Sequence, residues 1–197
     1  MQNPQHLKSE RGFTLIEALV ATALFAVTVS SIVGVYLSTI KINRRTDVIR
    51  SASENARYLT EYLAKEIKNG AIDYASAVSP CTSLPTTSSS SLAIVNVDGD
   101  RLCFYLGDNS GLISSIGQNL WLEKNNLAPL KVNSANVSIS NLIFYVSPTY
   151  DPYLAGSTVQ PRVTFTANVK STSGSQDSVV IPIESSITIP VYDIAAQ

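Results

Sequence analysis

Residues 11–17 read Arg-Gly-Phe-Thr-Leu-Ile-Glu, and they turn a polar start into a long apolar run. Between Phe13 and Ile40 the only charged side chain is that of Glu17. A carboxylate inside a membrane-length helix is costly, by about 2.5–3.5 kcal/mol at the bilayer centre and less near an end. We therefore expect Glu17 to have a specific use that offsets this cost.

The apolar run is long enough to be a membrane-spanning helix. Residues 18–40 would extend over about 34 Å as an α-helix, against a hydrocarbon core of roughly 30 Å. Residues 1–12 are polar and precede this run. An ordinary secretory signal has its apolar region before the cleavage site, whereas here the candidate cleavage residue, Gly12, comes first.

The stretch Gly12-Phe13-Thr14-Leu15-Ile16-Glu17 and the uncharged run after it resemble the processing site of type IV prepilins and pseudopilins. In that family a prepilin peptidase cuts after the glycine and methylates the new N-terminal residue. The resemblance implies cleavage between Gly12 and Phe13, N-methylation of Phe13, and a role for Glu17 in assembly. The new α-amine of Phe13 on a neighbouring subunit would neutralise Glu17 in a low-dielectric environment, where an unpaired charge is costly. The alternative is that Glu17 only reaches headgroups or water.

The resemblance also implies a location and partners. It places a single-pass subunit in the inner (cytoplasmic) membrane with its head outside the cytoplasm, and later in a pilus or pseudopilus filament. The partners would be other pilin or pseudopilin subunits, prepilin peptidase and an inner-membrane assembly platform. The positive-inside rule alone favours the opposite orientation, because two cations precede the run and four follow it: Lys8 and Arg11, against Lys41, Arg44, Arg45 and Arg50.

The helix is predicted to continue beyond the membrane as an amphipathic half. Apolar residues recur every three or four positions and form one stripe: Ile49, Ala52, Ala56, Leu59, Leu63 and Ile67. Glu61 and Lys65 have the spacing of an ion pair on the opposite face, and Gly70 marks the C-terminal stop. The stripe would dock on a partner helix or, as is commoner, on this chain's own sheet.

The sequence after Gly70 predicts a β-rich head. Residues 71–91 form a loop by composition. Residues 92–97 and 101–106 are predicted to form a hairpin around Asp98-Gly99.

Alternating apolar residues at 142–146, 163–169 and 179–191 indicate half-buried antiparallel strands. Pro182 and Pro190 fall on one face of the last strand, which suggests an edge position. The predicted fold class is therefore α+β, with the long helix packed on an antiparallel β-sheet.

Few side chains are suited to catalysis. The only histidine, His6, lies in the leader, which argues against His-based nucleophilic catalysis and His-based metal sites. Cys81 and Cys103 are predicted to form a disulfide, with two inert buried thiols as the alternative. We expect no catalytic residue, metal or cofactor.

Two groups of residues allow a binding interpretation. Three aspartates could form a calcium site, but they lack EF-hand spacing and Asp-Gly is ordinary turn chemistry: Asp98, Asp100 and Asp108. Four aromatic residues could mark a binding surface, although packing is the commoner role: Trp121, Tyr145, Tyr150 and Tyr153. After Gly70 there are five Lys/Arg against nine Asp/Glu, so the acidic head does not support nucleic-acid binding.

The sequence divides into four predicted segments: a leader (1–12), a transmembrane and filament-core helix (13–40), an amphipathic helix (41–70) and a β-rich head (71–197). Many major pilins of this family have a proline where this chain has Gly34, which favours a minor pilin or pseudopilin. A weaker resemblance, in residues 54–68 and 161–164 and in the Asp98-Gly99 hairpin, is to the minor pilin of the W type and the type II secretion pseudopilin of the J type.

The function implied is that of a structural subunit rather than an enzyme. It is a minor pilin or pseudopilin of a type IV pilus-like filament, acting in filament initiation or at the tip. One alternative is a pseudopilin of a type II secretion piston, and another is a membrane-anchored adhesin or binding module. The lack of histidine in the mature chain and of nucleotide or metal motifs disfavours an anchored enzyme.

Overall fold

The computed structural model describes residues 12–75, 81, 88–154, 156–171 and 178–189. These ranges contain one long helix and eight strands. In chain order they are α1 (Leu15–Lys68), β1 (Ala71–Ile72), β2 (Ser91–Val95), β3 (Arg101–Gly107), β4 (Asn119–Lys124), β5 (Leu130–Lys131), β6 (Val137–Ser147), β7 (Arg162–Ser171) and β8 (Val180–Thr188). The predicted α+β class is confirmed. The chain divides into two compact units, Met1–Arg45 and Thr46–Gln197.

In the second unit, α1 buries one stripe of side chains: Val48, Ala52, Ala56, Leu59, Leu63 and Ile67. The predicted stripe is confirmed except at its first position. Ile49 is 41% exposed, whereas Val48 is only 7% exposed. At 3.6 residues per turn these two residues border the stripe on opposite sides, so periodicity alone could not decide between them.

The opposite side of this half of α1 has two ion pairs at i,i+4 spacing. Arg50 donates to Glu54 at 2.8 Å, and Arg57 donates to Glu61 at 2.7 Å. The predicted Glu61–Lys65 pair is therefore wrong. Glu61 has a cation four residues away on either side, and the guanidinium of Arg57 is the one that it contacts.

The helix ends at Lys68, close to the predicted stop, and Gly70 is needed for space. A Cβ at Gly70 would lie 2.9 Å from the carbonyl oxygen of Val95 and 3.1 Å from that of Glu66. The close approach brings the chain beside β2, where Ala71 pairs with Val95. The start of the predicted loop is thus a short strand, β1.

Five strands form one antiparallel sheet in the order β1-β2-β3-β4-β5. The predicted hairpin is confirmed, because β2 pairs with β3 from Ser91↔Tyr105 to Val95↔Arg101. The chain reverses where the Gly99 amide donates to the carbonyl oxygen of Asn96 at 3.0 Å. Gly99 has a φ of 82°, a left-handed conformation that glycine adopts without penalty.

The last three strands form a second antiparallel sheet in the order β6-β7-β8. The predicted alternation in β7 is confirmed, since its inward residues are buried: Val163, Phe165, Ala167 and Val169. β8 is an edge strand, as Pro182 indicated, and Pro190 lies outside the described residues.

Hydrogen bonds flanking β8 explain why proline fits there. The backbone amide of Ser171 donates to the carbonyl oxygen of Val179, and the amide of Ile189 donates to the carbonyl oxygen of Pro161. The backbone N–H and C=O groups of the odd-numbered residues of β8 therefore point towards β7. The even-numbered Pro182 therefore has its missing N–H on the open side of the sheet, where no ladder bond is lost.

One hydrophobic core joins the stripe of α1 to both sheets. Phe104, Phe144 and Phe165 lie at its centre and are fully buried. The expectation of one sheet is corrected to two, because β6 pairs with β7 and meets the first sheet through the shared core rather than through a strand ladder. Paired backbone hydrogen bonds between Ser89 and Phe144 connect the second sheet to the chain leading into β2.

Candidate processing and assembly site

The residues on either side of the predicted cleavage point are accessible. Gly12 and Phe13 precede α1, and the Phe13 side chain is 74% exposed. A Cβ added at Gly12 would meet no atom within 4 Å. The fold itself therefore does not require glycine at this position, in contrast to Gly70.

Thr14 caps the N-terminus of α1. Its hydroxyl oxygen accepts a hydrogen bond from the Glu17 amide at 3.3 Å, and its carbonyl oxygen accepts one from the Ala18 amide at 3.1 Å. Thr-x-x-Glu is the signature of a capping box, in which Thr is the N-cap and Glu the third helical residue. Sequence reasoning missed this role of Thr14, although the spacing was there to be recognised. Cleavage after Gly12 would leave the cap intact.

Glu17 lies in the first turn of α1 with its side chain exposed. None of the four ion pairs found among the described residues includes it. The positive end of the helix dipole favours a carboxylate in this turn, but only by about 0.3–1 kcal/mol at an exposed site. No described residue supplies Glu17 with a full counter-charge.

The apolar half of α1 satisfies most of its hydroxyl groups internally. Five of them donate to carbonyl oxygens three or four residues earlier at 2.8–2.9 Å: those of Thr22, Thr28, Ser30, Ser31 and Thr39. Such bonds let Ser and Thr lie in lipid without unpaired donors. By length and composition α1 can cross a membrane, and its most apolar stretch is entirely unburied.

Comparison with protein families gives a match at this site. Residues 7–33 match the family model described as the prokaryotic N-terminal methylation motif. The chain thus has a prepilin-type N-terminus. The match supports a type IV pilin-like protein that is anchored in a membrane and associated with a pilus. In general such a motif implies prepilin cleavage, methylation and assembly with other pilin subunits, and proteins with it are structural subunits. No curated protein and no solved structure matches the chain.

In the head, the cysteines singled out in the sequence have a structural role. Cys81 and Cys103 form a disulfide with sulfur atoms 2.04 Å apart, which is the first of the two alternatives left by the sequence. In the chain-entropy model a bridge over this separation contributes on the order of 3 kcal/mol.

Asp100 serves an ion pair, Asp108 serves a turn, and Asp98 lies in the turn between β2 and β3. The Asp100 carboxylate accepts from Lys124 at 2.5 Å and from Asn125 at 2.7 Å, and these bonds lower the pKa of Asp100. Asp108 accepts from the amides of Ser110 and Leu112 at the other end of β3. Within the described part of the chain, no group of three acidic, His or Cys side chains is arranged to hold a metal.

The aromatic residues divide into packed and exposed ones. The Trp121 indole donates to the carbonyl oxygen of Asp108 at 2.8 Å, which fits the packing interpretation. Tyr145, Tyr150 and Tyr153 are 41%, 52% and 38% exposed, so packing covers each of them only in part. Tyr74, by contrast, is buried and donates to the carbonyl oxygen of Pro148 at 3.1 Å.

Proposed function

We propose that this chain is a minor pilin or pseudopilin, a structural subunit that is cut between Gly12 and Phe13 and methylated on Phe13. The observation that carries the proposal is the methylation-motif match at the start of a helix whose apolar stretch is unburied. The open surroundings of Gly12 support it, because a glycine that the fold does not need is available for recognition by the prepilin peptidase.

In this function the apolar half of α1 first anchors the chain in the inner membrane, with the head outside the cytoplasm. An assembly platform then transfers it into a helical filament, where neighbouring helices cover the apolar surface. Glu17 pairs with the new amine of Phe13 on an adjacent subunit, which supplies a counter-charge that no described residue of the single chain provides. The proposal assigns no catalytic residue and no cofactor.

Within the family, we propose a role in filament initiation or at the tip, as in minor pilins of the W type or pseudopilins of the J type. Gly34 supports a minor subunit, as does the large acidic head. Genes for a retraction motor beside this one would favour a pilus, whereas genes for a secretion channel would favour a secretion piston.

Two matched pairs of variants test the proposal in cells that contain the peptidase and the other subunits. Gly12→Val should remain full length, whereas Gly34→Val, at an equally open position, should lose residues 1–12 normally. Glu17→Gln should be processed but absent from sheared filaments, whereas Glu54→Gln should be both processed and assembled. Normal maturation of Gly12→Val would contradict the processing site. Normal assembly of Glu17→Gln, together with target binding by the head, would favour an anchored adhesin.

A further inference from the structure

Three cations follow the apolar half of α1 directly. Lys41, Arg44 and Arg45, here called the juxtamembrane cluster, are all exposed. Their spacing of three and four residues puts them on one face of the helix. The cluster therefore concentrates positive charge at the point where the apolar run ends.

This charge is not neutralised within the described part of the chain. The ion pairs there include Arg50 and Arg57 but no member of the cluster. Glu54 and Glu61 raise the pKa of Arg50 and Arg57 by hydrogen bonding and by charge. The nearest acid, Asp47, also acts on Arg50. Arg50 and Arg57 thus have acidic partners, whereas the cluster has its charge available for another molecule.

The spacing along the helix relates the cluster to Glu17. Lys41 follows Glu17 by 24 residues, which corresponds to about 36 Å along the axis, or about 34 Å at a tilt of roughly 20°. The hydrocarbon core is about 30 Å thick. If the cluster lies among the headgroups of one leaflet, Glu17 reaches the interface of the other and avoids the costly centre.

We propose that the juxtamembrane cluster binds anionic lipid headgroups in the leaflet on the head side and so fixes the depth of the helix before assembly. The proposal rests on the membrane insertion that the proposed function requires. A cation close to an anionic membrane surface strengthens binding by about fivefold, the equivalent of about 1 kcal/mol. Three neighbouring cations would therefore select anionic over zwitterionic lipid strongly.

The test uses the full chain in nanodiscs of phosphatidylglycerol and phosphatidylcholine, with native mass spectrometry of the lipids retained on release. The variant Lys41→Gln/Arg44→Gln/Arg45→Gln is compared with Arg50→Gln/Arg57→Gln/Lys65→Gln, which removes the same charge farther along the helix. We expect the preference for phosphatidylglycerol over phosphatidylcholine to fall at least tenfold in the first variant. The second variant should keep most of this preference. Raising the salt concentration should weaken the wild-type preference.

An unchanged preference in the first variant would overturn the proposal, and so would an equal loss in both, because the effect would then be one of net charge. Circular dichroism checks that both variants keep their helix content. Processing between Gly12 and Phe13 is scored separately on the same proteins. If none of the proteins is processed but only the first variant loses its lipid preference, the result would contradict the proposed function and still support the lipid site.

Discussion

The two halves of α1 differ in what covers their apolar side chains. Up to Arg45, every described residue except the half-buried Ile40 is exposed, whereas six side chains are buried from Thr46 onward. The first half is the more apolar of the two. Apolar content therefore does not identify this chain's own core. The second half packs on the head, whereas the first half leaves its apolar side chains exposed, and in the proposed function lipid and neighbouring helices would cover them.

The largest expected difference is between Leu63→Ala and Leu24→Ala. Leu63 is 1% exposed, and its truncation should cost about 2–5 kcal/mol because it leaves a cavity in the core. Leu24 is 63% exposed, so its truncation should leave head stability unchanged. Urea unfolding of the full chain in detergent, followed by Trp121 fluorescence, measures both.

Equal destabilisation by the two leucine variants would contradict the division of the helix. Circular dichroism of each variant before unfolding shows whether α1 itself is intact. This control matters because both substitutions are in one continuous helix.

A finer comparison lies at the start of the buried stripe. Val48→Ala should destabilise the head by about 1.5 kcal/mol, at about 0.8 kcal/mol for each buried methyl or methylene group removed. Ile49→Ala removes more atoms but should cost less, since Ile49 is the more exposed residue. Both changes replace a β-branched residue by alanine and gain similar helix propensity. The same unfolding assay ranks them, and a larger loss at Ile49 would mean that the stripe begins there.

The last expected effect is a pH dependence confined to the head. Burial first, and then the charge of Asp151, raise the pKa of Tyr74 to about 12, from an ordinary value of about 10. As pH rises, the Tyr74 hydroxyl therefore loses its proton in the unfolded chain before it does so in the folded chain. The stability that comes from this difference in pKa is complete below pH 10 and is lost as pH rises towards 12.

Tyr74→Phe should make this alkaline loss of stability shallower, besides a constant cost of about 1 kcal/mol for the hydrogen bond to Pro148. The slope should not vanish, because burial also raises the pKa of Tyr62 and Tyr105. Unfolding midpoints from pH 8 to 11.5 test it. An unchanged slope in the variant would show that Tyr74 does not titrate differently on folding.

Local periodicity predicted much of the fold. The helix, five of the six residues in its stripe, the β2–β3 hairpin and the edge position of Pro182 all follow from spacing and turn chemistry. The choice between Val48 and Ile49, the partner of Glu61, and the division into two sheets depend on how distant segments meet. Gly70 shows the same limit: it was predicted from the helix end, but the structure requires it for the approach of Val95.

The candidate site was predicted from a sequence motif, whereas the fold was predicted from periodicity. Gly12, Phe13 and Glu17 came from a motif that resembles a known processing site, and the cap at Thr14 was overlooked because the motif alone accounted for the segment. The position of the juxtamembrane cluster directly after the apolar run was readable from the sequence and already suggested contact with anionic headgroups. Which acids pair with Arg50 and Arg57 was not readable, because several pairings had suitable spacing.

The proposed function requires that the chain is matured between Gly12 and Phe13. Intact and peptide mass spectrometry of the wild-type protein, purified from the membranes of cells that contain a prepilin peptidase, tests this claim most directly. We expect a chain that begins with N-methylated Phe13 and retains Glu17 at its fifth position. A chain that still begins at Met1, or one cut at another bond, would contradict it.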